Sequence, residues 1–298
     1  MTTPPPLPTF TLDHVLDTFS LDQVNADFFV ATQLDEVGHH IIGSHIAAQA
    51  LIAASRTVSE RLPHSLQVCF PRRGDARQPV DFEVTVLHDG GTFSTRRVTA
   101  RQFGAVLLEA MTSFSAPVDS FAYQQHMPEA PGPESRPPVQ QQLAGYAGEL
   151  NGWWVRPRPI EMRYVDPPPR LAFDMADPPP ARTRLWWRTG GIPPTDPILT
   201  SALVTYAWGL TLLEPAMIAR RTTPIGPGLS AMVDQAMWFH QQADLSDWVL
   251  CDQYSPNGTG GRGLATGTMF NRTGQLVCTA TLEGYFGRNA PRPDSPIG

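Results

Sequence analysis

The groups that could do chemistry gather in two stretches of this 298-residue chain. In the first, Asp35, Glu36, His39 and His40 stand just ahead of His45. A carboxylate beside an imidazole can activate water as a general base. The plainer reading is a polar loop, because such clusters are common and their pKa values cannot be read from sequence. Gly43 and Ser44 open the helical run that contains His45. Backbone N–H groups at a helix start lack partners and can receive a carbonyl oxygen or an oxyanion. The second stretch, residues 229–252, reads LSAMVDQAMWFHQQADLSDWVLCD. Bulky aromatics at period two make it strand-like, with Trp238, Phe239 and Trp248 expected in the core.

Composition removes several chemistries. All 22 basic residues are Arg, so a P-loop, a protein kinase and a pyridoxal Schiff base each lack their lysine. With 31 Pro, this usage also suggests a high-GC bacterial genome. A net charge of −6 without a basic stripe speaks against bulk nucleic-acid binding. Cys69, Cys251 and Cys278 are too few and too scattered for a disulfide framework or a zinc site, and each is expected as a small core residue. No metal-ligand spacing, H-E-x-x-H or G-x-S-x-G is present, and the glycines of residues 261–267 do not have dinucleotide spacing. No metal or cofactor is expected. No run of 18 apolar residues predicts a membrane span, and the first 13 residues do not read as a signal peptide. A cytoplasmic location is the resulting expectation.

The elements that must position these residues recur twice. Residues 43–58 and 197–213 are apolar helices, the first rich in Ala so that a sheet can approach closely. Each is followed by alternating strands, at residues 64–70, 79–87, 93–102 and 105–114, then at 232–240, 248–255, 262–270 and 275–286. The pattern predicts an α+β fold built twice, from residues 10–117 and 185–290. Residues 118–184, with PGPESRPP and two DPPP runs, read as linker and surface loop. Within them, residues 140–150 could form a short helix and 159–165 look extended. Residues 11–23 have an amphipathic helical pattern, residues 25–32 read as strand, and both termini are expected to be disordered.

Several runs, in order, resemble one family. IIGSHIAAQALIAA is similar to F-G-G-Q-x-x-x-Q-A-L-x-A-A, HSLQVCFPRRGD to H-S-x-x-x-x-F-L-R-x-G-D, and HDGGTFSTRRVTARQ to R-D-G-x-S-F-x-x-R-R-V-x-A-x-Q. PIEMRYV, MVDQAMWFH, LSDWVL, RGLATGTMF and TLEGYFGRN continue the match through the second half. The chain resembles the TesB-like (type II) acyl-CoA thioesterases over residues 12–290. The resemblance implies a double hotdog, two antiparallel sheets each wrapped around a central helix, and a fatty acyl-CoA substrate. It also implies hydrolysis by water held by an Asp, a Thr and a Gln. At those three positions this chain has Gly209, Met232 and Leu282. The expected substrate-facing positions are Gly43, Ser44 and Asp234, the last surviving from the family motif with a structural job as its simplest role.

Three functions are compatible with these residues. One is a thioesterase-like protein that binds acyl-CoA but lacks the family's water-activating groups. Another is an active hydrolase that uses His45 with Asp35 and Glu36. The third is a non-catalytic acyl-thioester-binding or assembly module. Hotdog units commonly pair, so a homo-oligomer is expected.

Overall fold

The computed structural model describes residues 8–36, 38–177, 179–222 and 231–287. The tail at 288–298, the first seven residues, and Leu229 and Ser230 of the aromatic stretch lie outside the described residues. The first half holds α1 (Leu12–Thr18), β1 (Asp22–Gln23), β2 (Phe28–Ala31), α2 (Gly43–Ser55), β3 (Leu62–Cys69), β4 (Val80–Asp89), β5 (Phe93–Gln102) and β6 (Ala105–Ser115). Within the Pro-rich stretch come α3 (Val139–Gln142), β7 (Ile160–Tyr164) and α4 (Pro169–Phe173), and at its end β8 (Arg182–Thr189). The chain closes with α5 (Pro197–Thr211), α6 (Glu214–Arg220), β9 (Ala231–Phe239), β10 (Val249–Thr259), β11 (Arg262–Asn271) and β12 (Leu276–Tyr285).

All strands join one antiparallel sheet in the order β1-β2-β4-β5-β6-β3-β9-β12-β11-β10-β8-β7. The halves meet where β3 pairs β9, with Leu66 opposite Met237 and Cys69 opposite Asp234. Strand alternation sets the core. On β4, Val80, Phe82 and Val84 are buried while Asp81 and Glu83 face out; on β12, Cys278, Ala280 and Leu282 are buried. The sheet wraps α2 and α5, which pack against each other as the double hotdog requires. Residues 44–54 of α2 are all buried, so this helix is apolar nearly all round and five of its buried residues are Ala. In α5, Asp196 caps the start by accepting from Ile198 N at 2.7 Å and Leu199 N at 2.9 Å, ahead of Pro197. Pro197–Arg220 has the length and mean hydropathy (1.3) of a membrane-crossing helix, but 78% of that window is buried inside the fold.

The Pro-rich stretch is not a plain linker. Its first part crosses the outer face of the second half. Gln124 donates to Gly274 O at 2.7 Å and accepts from Leu276 N at 3.0 Å. Trp186 Nε1 donates to Pro131 O, and Met127 and Ala130 pack on Trp186, Trp248 and Leu250. Its later part supplies β7 to the sheet edge, with Tyr164 opposite Leu185. The helix expected at 140–150 is confined to α3 and two 3-10 turns, broken by left-handed Leu150 and Asn151.

Three expected core residues need separate treatment. Trp238 is 38% exposed and Cys69 is exposed, because each falls on the outward phase of its strand, while Met237 and Val68 point inward. Trp248 is buried, but in the small outer cluster under the Pro-rich stretch rather than beside the helices.

A buried acid fastens the edge strand. Tyr164 Oη donates to Glu214 Oε1 at 2.6 Å, and burial pushes the Glu214 carboxyl from 4.5 up to about 8, against the opposing pull of Tyr164 and Arg158. The folded protein keeps this proton where the unfolded chain releases it. The Glu214 contribution to stability should therefore be fully present below pH 4.5 and be lost as pH rises to about 8. Denaturant unfolding between pH 5 and pH 8 should show this slope in the wild type and a flatter one in Glu214→Gln. An unchanged slope in the variant would mean that Glu214 is ionised in the fold.

Candidate functional site: the crossing of the two central helices

The first turn of α2 faces the second half of α5, and the residues at this crossing are small. A β-carbon added at Gly209 would overlap Ser44 Cβ and Ser44 Oγ and would lie 3.2 Å from Met232 Cε. One added at Gly43 would come within 2.6 Å of Met232 Sδ. Met232 reaches the helices because β9 carries an irregularity. Asp234 pairs Glu283 and Met232 pairs Gly284, so Val233 is the extra residue and Met232 turns inward. Two pairs along the same strands, buried Leu282 lies opposite buried Gln235, whose Oε1 has no partner. Of the three positions at which the resemblance places water-activating groups, Gly209 and Met232 thus touch, and Leu282 lies two strand pairs along from Met232. None of the three side chains donates or accepts a hydrogen bond.

The expected substrate-facing positions divide between the two faces of the sheet. Gly43 and Ser44 lie at the crossing, where Ser44 is fully buried and its hydroxyl has no partner. Asp234 is exposed on the outer face beside Cys69, because Gln235 and Met237 take the inward phase of β9. It does not join Gly43 and Ser44.

His45 is buried in a chain of hydrogen bonds. Gln49 Nε2 donates to Thr18 O at 2.8 Å and Thr32 O at 2.9 Å, so its Oε1 accepts from Gln33 Nε2 at 2.7 Å. That turns Gln33 Oε1 toward His45 Nδ1 at 3.2 Å, while the Thr18 hydroxyl lies 2.7 Å from His45 Nε2. Both ring nitrogens therefore have a polar partner, and the Thr18 hydroxyl itself donates to Val15 O at 2.7 Å. The imidazole stacks on Phe19 with centroids 5.7 Å apart and meets Tyr206 edge-on at 6.2 Å. Burial lowers its pKa to about 3. Both ring nitrogens are engaged by protein groups, which leaves the ring no free site for water.

The carboxylates expected beside it are engaged elsewhere. Asp35 pairs with His39 at 2.7 Å on the surface. Glu36 is held by both terminal nitrogens of Arg156, at 2.7 and 2.8 Å, and Arg156 stacks 4.0 Å over the Trp153 ring. His40 makes a backbone bridge to Asp75. The fold thus disperses the cluster that the sequence suggested. Thr18 and Gln33, which fix His45, had no sequence signal, since they lie 27 and 12 residues before it.

The geometry and the comparisons agree on the class, a double-hotdog thioesterase scaffold. Residues 178–285 match the family profile "Acyl-CoA thioesterase", and residues 31–115 match "Acyl-CoA thioesterase N-terminal domain". The chain is 30% identical to "Acyl-CoA thioesterase 2" of Haemophilus influenzae, over 92% of this chain and 97% of that relative. The tesB protein of Mycobacterium avium subspecies paratuberculosis is similar at 46% identity, with a TM-score of 0.78 over 93% of this chain and all of the other. TesB2 of Mycobacterium marinum shares 31% identity at a TM-score of 0.73, over 91% of this chain and 97% of that one. A hot dog fold protein of Alicyclobacillus acidocaldarius shares the architecture at a TM-score of 0.72 with 21% identity, over 95% of this chain and 98% of that one. The chain belongs to the TesB-like acyl-CoA thioesterase family.

The His45 network predicts a stability effect. His45→Ala removes the partner of the half-buried Gln33 Oε1 and the ring packed on Phe19, and should lower stability at pH 7 by about 1–3 kcal/mol. The wild type should also lose stability as pH falls from 6.5 toward 3, since the unfolded imidazole binds a proton that the buried one refuses. His45→Ala should lack that part of the acid limb. Denaturant titrations at pH 7 and pH 4.5 check both. Wild-type stability in the variant at pH 7 would show that the network is not holding the fold.

Proposed function

We propose that this protein binds fatty acyl-CoA thioesters at the crossing of α2 and α5 and does not hydrolyse them through the family's usual water site. In this reading the halves are residues 10–117 and 185–290, joined by residues 118–184, and the protein assembles as a homo-oligomer. Family membership supports the acyl-thioester ligand. The observation that carries the rest is the apolar set Gly209, Met232 and Leu282. A buried water needs two to four polar partners, and these side chains offer none. Losing a positioned base typically slows a reaction by about 10²–10⁴-fold.

The start of α2 would receive the thioester carbonyl. Its N-cap, Ile42, has no side-chain bond to the first turn, which leaves amide groups available to an acceptor. A hydrolase built on His45, Asp35 and Glu36 has no geometric support, because both imidazole nitrogens and both carboxylates have other partners.

The experiment pairs binding with turnover. A chain-length series of acyl-CoAs should bind saturably, while release of free CoA stays at least about 10²-fold slower than in a relative that keeps the Asp, Thr and Gln. Rapid release that persists in Met232→Ala would place the chemistry elsewhere and end the proposal.

A further inference from the structure

We infer that Ser44 is a fourth position deciding between binding and hydrolysis, because its side chain fills the space that a carboxylate at position 209 would need. The inference rests on the acyl-thioester reading above. Gly209 has no room for any side chain. Its added β-carbon meets Met232 Cε at 3.2 Å, and a thioether on a flexible stem can yield. The overlap with Ser44 is different. It involves Ser44 Cβ itself, bonded directly to the backbone of a helix buried on all sides, which cannot swing aside.

The serine is not held there by its hydroxyl. On α5, Ser201 and Thr205 each donate to a carbonyl one turn back, at 2.9 Å in both cases. Ser44 Oγ is buried with no partner at all. An unpartnered buried hydroxyl is unfavourable, so what Ser44 contributes is volume. Glycine at 209 and a side chain at 44 are therefore two parts of one fit. The reverse arrangement, glycine at 44 and a side chain at 209, would fill the crossing equally well from the other helix.

That reversal is what hydrolysis would require. Water oxygen would bond to the thioester carbonyl carbon while the carboxylate at 209 takes a water proton. The carbon–sulfur bond would then break, the proton would pass to the departing thiolate, and free acid and CoA thiol would result. Replacing only Gly209, Met232 and Leu282 leaves the carboxylate pressed into Ser44.

Two readouts test this. Thermal unfolding compares wild type, Gly209→Ala, Ser44→Gly and the pair. Alanine is normally preferred over glycine in a helix, yet overpacking should make Gly209→Ala melt about 2–10 °C lower, and adding Ser44→Gly should restore most of the loss. The second readout is CoA release by Gly209→Asp/Met232→Thr/Leu282→Gln, with and without Ser44→Gly. The version carrying Ser44→Gly should be at least about tenfold faster. A Gly209→Ala protein as stable as wild type, or no recovery in the pair, overturns the inference. So does recovery in the pair without faster CoA release while acyl-CoA still binds. Failure of the wild type to bind any acyl-CoA would instead overturn the reading beneath it.

Discussion

The close contact of α2 with α5 governs the rest of this structure. Two helices must share the hollow of one curved sheet, so they approach each other at small residues. At the contact, Ser44 lies where a side chain of residue 209 would stand, and Met232 closes the crossing from the sheet. The seam between β3 and β9 makes the sheet continuous around both helices. A side chain larger than the crossing accepts would have to move a helix that is buried along nearly its whole length.

The same constraint decides what chemistry the site can hold. The buried imidazole of His45 is surrounded by hydrogen bonds, in the chain from Gln49 through Gln33 to His45 and Thr18. At the crossing the opposite solution is found: glycine and a thioether beside one unpartnered hydroxyl, with buried Leu282 two strand pairs away. A scaffold that binds a thioester needs donors for its carbonyl, and the proposed reading draws them from the backbone at the start of α2. A scaffold that hydrolyses it also needs side chains that hold water, and no side chain at Gly209, Met232 or Leu282 does so.

Much of the fold was legible because its signals are local. The all-round apolar pattern of residues 43–58 and the alternation of β4 and β12 follow from burial inside a wrapped sheet, and the ordered motifs located the family. What failed to show depends on contacts between distant residues. The phase of a strand is readable, yet which phase faces the helices is not, which is why Trp238, Cys69 and Asp234 face out. The irregularity that turns Met232 inward depends on pairing with Gly284, 52 positions away in sequence and set by the sheet register. The group Asp35, Glu36, His39, His40 and His45 looked like a site because its members are close in sequence. Arg156, 120 residues from Glu36, dissolves it. The extended run at 159–165 did foreshadow the edge strand β7, whereas the covering stretch around Met127 was hidden by proline content that reads as loop.

The most direct test is a crystal structure with an acyl-CoA analogue in which a methylene separates sulfur from carbonyl. The carbonyl oxygen should lie against the first turn of α2, with Ser44 and the Met232 thioether closing the side next to Gly209 and no ordered water aimed at the carbonyl carbon. A water held there by side-chain hydrogen bonds, or an acyl chain lodged away from the helix crossing, would contradict it.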